Sequence, residues 1–338
     1  MNNNQIYRVI HFLLSFILIA MYIGFAISLP HEFFKDRDVY EIYASESQEI
    51  YNLYDGIIIY FNEPLFLKIN ILLNKFLQPS NVVYFLLLFC LMGTTLLLYK
   101  YSKNIFMFFL GILFILICNY AFHAQFVILR QTIASVIFLY ALTYIKDIKI
   151  IILISFLCSF IHVSFFLLTA FFIFYEAISK FSTKIKSIII IFFSAILGLF
   201  ITIVGKYLGV RQATEDHIVS SVNVGGGAFL CFMMILLYFL FIYKVDEKNK
   251  RIYDFSILGL SIFIGLYFIS PVAGRLMSTF ILPIIFLLCA RFNMANSILF
   301  FLLLTVFIYL DMQGAITGMS LNVNFSEIIS FIQWKLLP

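Results

Sequence analysis

The sequence predicts an all-α, polytopic membrane protein of about eleven transmembrane helices (roughly 10–12), with a long first outer loop and a broken helix pair near His162. Three observations lead there. Of the 338 residues, 63% are hydrophobic and 12% charged, about half the charge of a soluble globular domain. Apolar runs such as FLLSFILIAMYIGFAISL and SIIIIFFSAILGLFITIVG recur along the whole chain, each approaching the roughly 20 residues that cross about 30 Å of hydrocarbon. The basic residues fall in small clusters between those runs, as topology determinants do. A β-barrel would show short alternating strands instead. The chain reads as a single polytopic domain, 1–338.

Taken in order, the first run, about Val9 to Leu29, is too long for a signal-peptide core and reads as an uncleaved helix with its N-terminus cytoplasmic. Further spans fall at roughly 81–99, 104–121, 128–145, 149–161, 163–179, 187–206, 228–243, 254–270, 276–290 and 295–311. Arg8 and the clusters 100–103, 146–149, 180–186, 244–251 and Arg291 hold 13 of the 22 basic residues, all at predicted inner ends. The outer loop 30–80 carries eight acids against four bases. Between two clusters on the same side, 149–179 must go out and return, so it reads as two short helices turning near His162. Such breaks are tolerated where they line a cavity within the protein. Residues 56–78, with Glu63, Pro64 and Lys68, read as a re-entrant or surface-lying helix, and 322–338 as an interfacial segment.

Nine basic residues remain, all on the predicted outer side: Lys35, Arg37, Lys68, Lys75, Arg130, Lys206, Arg211, Arg275 and Lys335. A charge at mid-membrane costs about 2.5–3.5 kcal/mol, less near an interface. Any one arginine alone therefore reads equally as an interfacial anchor. Arg130 and Arg275 stand out together because each heads a span beside small, polar or helix-breaking residues, with Gln131 next to the first. Guanidinium forks match phosphate oxygens and stay charged at any pH, and a helix N-terminus favours anions. The expectation is an anion pocket at the outer boundary built from Arg130, Gln131 and Arg275, with Arg211 a weaker member. A phosphorylated lipid headgroup is the natural anion at that depth.

Other features weigh less. His162 marks the outer turn of CSFIHVSFF, with His123 its rival; a lone histidine on an apolar helix is more often a packing residue. The acids of the first loop, Asp36, Asp38, Glu41 and Glu63, interleave with tyrosines such as Tyr40 and suggest a sugar-facing surface, although acidic loops are usually only solvated. The five cysteines are scattered singly in apolar runs, which argues against a disulfide framework or metal site. VNVGGGAF lacks the lysine of a phosphate-binding loop. The net charge of +5 reflects topology and is no nucleic-acid signal.

The segments RDVYEIY, NEPLFLKINILL, ILRQTIASVIFLYAL, FIHVSFFLL and GRLMSTFILPI, in this order, resemble the EpsG family, bacterial polytopic proteins similar in role to the Wzy polymerases. The resemblance covers roughly residues 5–310. It places Asp38, Tyr40, Glu63, Arg130, Gln131, His162 and Arg275 at motif positions. The family's usual glycine before the loop aspartate is replaced here by KDRD, which leaves the choice between Asp36 and Asp38 open. The resemblance implies a glycosyltransferase-type enzyme of the bacterial inner membrane. It would join oligosaccharide units on undecaprenyl pyrophosphate at the outer leaflet, in exopolysaccharide, capsule or O-antigen synthesis. In that chemistry Arg130 and Arg275 neutralise the leaving pyrophosphate, and His162, Asp38 or Glu63 is the base; Tyr40 and Asp36 contact sugar. No cofactor is expected, a divalent metal staying open. Partners would be the lipid-linked oligosaccharide, the bilayer, and a flippase and chain-length regulator. A flippase for such lipids, an O-antigen ligase or another outer-leaflet glycosyltransferase is the rival reading.

Overall fold

The computed structural model describes residues 3–54, 56–207 and 226–336, and these are mostly helical. No strand occurs among them, only an isolated bridge between Phe34 and Leu321. In chain order the α-helices are α1 (Asn3–Ser28), α2 (Arg37–Asn52), α3 (Pro64–Leu73), α4 (Pro79–Tyr101), α5 (Ile105–Ile117), α6 (Asn119–Phe126), α7 (Leu129–Tyr144) and α8 (Ile148–Cys158). There follow α9 (Ser164–Ala177), α10 (Thr183–Tyr207), α11 (Gly227–Phe241), α12 (Lys250–Leu266), α13 (Val272–Cys289), α14 (Met294–Met312), α15 (Ala315–Ser320) and α16 (Phe325–Leu336).

Five helices are long and apolar enough to cross a membrane: Val9–Ser28 of α1, α4, Thr183–Phe200 of α10, α13 and α14. Joining α5 to α6 makes six, although this pair is bent by 83°. The expected count of about eleven spans (10–12) is therefore not confirmed among the described residues. Hydropathy measures how long the chain stays apolar, whereas a helix stops where its backbone turns. Thus α8, at 11 residues, is only about 16 Å long at 1.5 Å per residue. The straight span expected over 104–121 is likewise broken at Cys118, which leaves the helical region (ψ 111°) with neither proline nor glycine beside it.

Two expectations about irregular segments meet their counterparts. Residues 149–179 form separate helices, α8 and α9, joined through 159–163. Residues 56–78 form a 3₁₀ turn (Gly56–Phe61) followed by the short α3. The first loop is itself folded: α2 buries Arg37, Tyr40, Ala44 and Ser47, spaced three or four residues apart on one helix face.

The core is the pair α12 and α13, the latter with 83% of its membrane-length window buried. Small residues let the helices approach. A Cβ at Gly265 would overlap the Ile191 carbonyl and Ser194 hydroxyl of α10, and Ser187 and Ser261 hydrogen-bond across the same contact at 2.7 Å. In a bilayer such close packing, rather than burial of apolar surface, drives helix association.

The bundle has two chemically different ends. At one, Arg251 donates to the Ile145 and Lys146 carbonyls, and Arg291 pairs with Asp246 at 2.6 Å. Clusters placed on one side by the sequence thus meet. The N-terminal ends of α7 and α13 and the α8–α9 turn gather around a separate polar cavity.

Candidate active site

The cavity has a volume of about 620 Å3 and is walled by the first loop, α6, α7, the α8–α9 turn, α13 and α15. Arg130 and Arg275 both line it, together with Glu63, Gln131, His162 and Asp36.

Arg130 enters from the first turn of α7. Two backbone amides, those of Val127 and Ile128, donate to the His123 carbonyl at 3.0 and 3.2 Å, and Thr132 hydrogen-bonds the Ala124 carbonyl, so the α6–α7 break is held tightly. Arg37, 1% exposed, donates its Nε to the Phe126 carbonyl at 2.8 Å, a cation set at the end of α6 where the helix dipole favours it. The Arg130 guanidinium pairs with Glu63 and lies over the Tyr43 ring, 4.7 Å from its centroid, with Tyr40 and Phe66 at 5.7 and 5.8 Å. Aromatic faces attract such a cation.

Glu63 is the residue before α3, and its backbone is left-handed (φ 56°). One carboxylate oxygen binds Arg130; the other accepts the Val163 amide at 3.3 Å and lies 3.8 Å from His162 Nε2. Burial pushes the Glu63 carboxyl above its ordinary range, opposed by Arg130 and by the Val163 hydrogen bond. His162 holds Ser164 through Nδ1 at 2.7 Å. Burial first, then the charges of Arg130 and Arg275, lower its imidazole to about 3, so it is uncharged at neutral pH.

Gln131, 3% exposed, donates through its side-chain amide to the Arg275 carbonyl and the Thr279 hydroxyl, both at 2.7 Å. It thereby locks α7 to α13 and fixes the two arginines in one wall. Arg275 is exposed, and its guanidinium makes no hydrogen bond or ion pair among the described residues. Of the two guanidiniums, Arg130 is paired with Glu63, whereas Arg275 has no counter-ion among the described residues.

The remaining predicted residues separate clearly. Both first-loop aspartates are exposed, but Asp36 lines the cavity and Asp38 does not. Tyr40, expected to meet sugar, is 5% exposed; its ring lies under Arg130 and its hydroxyl accepts the Arg130 amide at 3.4 Å. Arg211 lies outside the described residues. Sequence reasoning missed Tyr43 and Phe66 around Arg130, Arg37 at the end of α6, and Met319 and Ser320 of α15. The three-residue step from Tyr40 to Tyr43 was a readable sign of a shared helix face; nothing local marks α15. Among the described residues no group of three or more His, Cys, Asp or Glu is placed to hold a metal ion.

Asp36 and Glu63 are the two non-glycine residues with positive φ among the described residues, and both line this cavity. Each such conformation costs on the order of 1–3 kcal/mol and persists where surrounding structure enforces it, commonly at functional sites.

Fold and cavity define a helical membrane protein with a charged chamber built where helices start and break. The family match is more specific: the EpsG family model covers residues 6–328, and the chain belongs to that family. This makes it a membrane protein of polysaccharide synthesis. No curated protein and no solved structure matches it.

Proposed function

We propose that this protein is a polymerase that joins oligosaccharide repeat units carried on undecaprenyl pyrophosphate, at the outer leaflet of the bacterial inner membrane. The product would be an exopolysaccharide, capsule or O-antigen chain. The observation that carries this reading is the shared cavity: Arg130 and Arg275 both line it, and Arg275 has no counter-ion among the described residues. A hydroxyl of the incoming unit attacks the anomeric carbon of the growing chain. The new C–O bond forms as the bond to the pyrophosphate oxygen breaks, and the electron pair leaves with the phosphate. Preorganised cations at that oxygen stabilise its developing charge. The activated lipid supplies the driving force, so no nucleotide takes part. Glu63 and His162 stand at this leaving-group end, where Glu63 holds Arg130 in place.

The test uses Arg275→Gln. Inorganic pyrophosphate is titrated into the detergent-purified protein, and glycan length is read in the native host. The variant should bind pyrophosphate at least about tenfold more weakly, the cost of losing about 1.4 kcal/mol of charge-assisted contact. At normal protein levels it should also shorten the glycan to single units. Full-length glycan from the variant, or a wild-type protein that does not bind pyrophosphate, refutes the proposal. Purified protein that translocates the lipid-linked unit without lengthening it, or passes the glycan to another lipid, identifies a flippase or a ligase instead.

A further inference from the structure

In an in-line, inverting displacement at an anomeric carbon the attacking hydroxyl and the departing oxygen stand on opposite sides of that carbon. The base should therefore stand apart from the arginines. The cavity has a second polar group, built from Asp36 and His123 and closed by Met319 of α15. The charged groups acting on His162 are Arg130 and Arg275, whereas those acting on His123 are Asp36 and Lys35. The two sets share no member.

The way Asp36 is held is specific. On one side, the Lys35 amide donates to the Ser320 carbonyl at 3.0 Å, and its ammonium binds the Gly318 carbonyl. On the other, Arg37 is buried against Phe126 and the Phe34 ring. Between two anchored neighbours the Asp36 backbone turns left-handed, φ 63° and ψ 0°, and its carboxylate makes no hydrogen bond or ion pair among the described residues. Beside it, His123 Nδ1 meets the Ser320 hydroxyl at 3.2 Å, while Nε2 makes no hydrogen bond among the described residues. Of the other first-loop acids considered, Glu63 is engaged with Arg130 and Asp38 lies outside the cavity.

From this geometry we infer that Asp36 is the general base of the polymerase and that, with His123, it forms the acceptor subsite for a sugar hydroxyl. This rests on the proposed function and adds its second substrate. The hydroxyl proton passes to the Asp36 carboxylate as the hydroxyl oxygen bonds to the anomeric carbon, and the carboxylic acid then returns the proton to water. His123 Nε2 orients the same sugar, and Ser320 positions the imidazole.

Asp36→Asn tests this cleanly, because asparagine tolerates the left-handed region as aspartate does. Three quantities are measured: glycan length in the native host, inorganic pyrophosphate affinity and melting temperature. Asp36→Asn should reduce polymer on the order of 100-fold or more, the usual worth of a general base. Pyrophosphate affinity should stay within about twofold and the melting temperature should not fall. Asp36→Gly, which relieves the backbone, should melt at the same or a higher temperature and be equally inactive. Polymer within about threefold of wild type in either folded variant overturns the assignment. So does a loss confined to Asp38→Asn. Normal pyrophosphate binding by wild type together with an active Asp36→Asn sinks this inference alone, whereas absent pyrophosphate binding sinks the function beneath it.

Discussion

Glu63→Gln tests the electrostatics of the cavity most directly, because it should separate stability from ligand binding. The Glu63 side chain is 9% exposed, while its partner Arg130 is 25% exposed and lies over aromatic faces. Desolvating a buried carboxylate can cost as much as its ion pair returns, and burial is the leading influence on Glu63. Glutamine keeps an acceptor for the Val163 amide and leaves Arg130 with access to water. The variant should therefore match wild-type stability to within about 1 kcal/mol. Arg130→Gln, which strands the less exposed partner, should lose more. Anion binding should move the other way. A pyrophosphate bridging the guanidiniums stands on the order of 6 Å from the Glu63 carboxylate, where repulsion at an effective dielectric of about 20 is roughly 3 kcal/mol. Salt screening about halves this, so removing the charge should tighten binding about tenfold. Calorimetric titration of inorganic pyrophosphate at pH 7.5 and fixed ionic strength reads this out. Equal or weaker binding by Glu63→Gln would show that Glu63 does not compete with the anion, and the reasoning fails.

The same carboxylate makes a pH prediction. Its folded pKa is raised by burial, so the folded protein takes up that proton at a higher pH than the unfolded chain. The stability linked to this proton is fully present below the unfolded value of about 4.3 and is lost as pH rises through the folded value. The tighter pyrophosphate binding of Glu63→Gln over wild type should shrink as pH falls and Glu63 becomes neutral; a ratio constant with pH contradicts it. Gln131→Leu removes both links from α7 to the Arg275 carbonyl and Thr279. It should cost about 1–3 kcal/mol in thermal unfolding by leaving buried groups unpaired. Pyrophosphate affinity should fall as well, since the two arginines are no longer held in register. Unchanged values of both would mean that the amide locks nothing.

How much of this was legible depended on the range of the interaction. Arg130 and Arg275 could be singled out because a permanent charge at the head of an apolar run has few innocent explanations. Their meeting in one cavity follows from chain direction, since both head helices that begin at the same end of the bundle. The turn near His162 was readable because charge clusters on both flanks forced the chain to return. The break at Cys118 was not. No proline or glycine marks it, and nothing local marks the anchor at the other end of α6 either, where Arg37 meets the Phe126 carbonyl 89 residues away. The difference between Asp36 and Asp38 was equally hidden. They stand two residues apart with the same charge, and the left-handed backbone at Asp36 comes from anchors that include a carbonyl 283 residues away.

The sequence by itself determined the helical membrane class, the acidic first loop, the return near His162 and the two arginines, because hydrophobicity and charge placement act locally along the chain. Tertiary structure alone decided how long each helix runs, that Glu63 occupies Arg130 while Arg275 has no counter-ion among the described residues, and that Asp36 reaches the cavity while Asp38 does not. These outcomes depend on groups brought together across loops and helix starts. Nothing in the local pattern of a chain records which distant carbonyl or carboxylate a buried cation will meet.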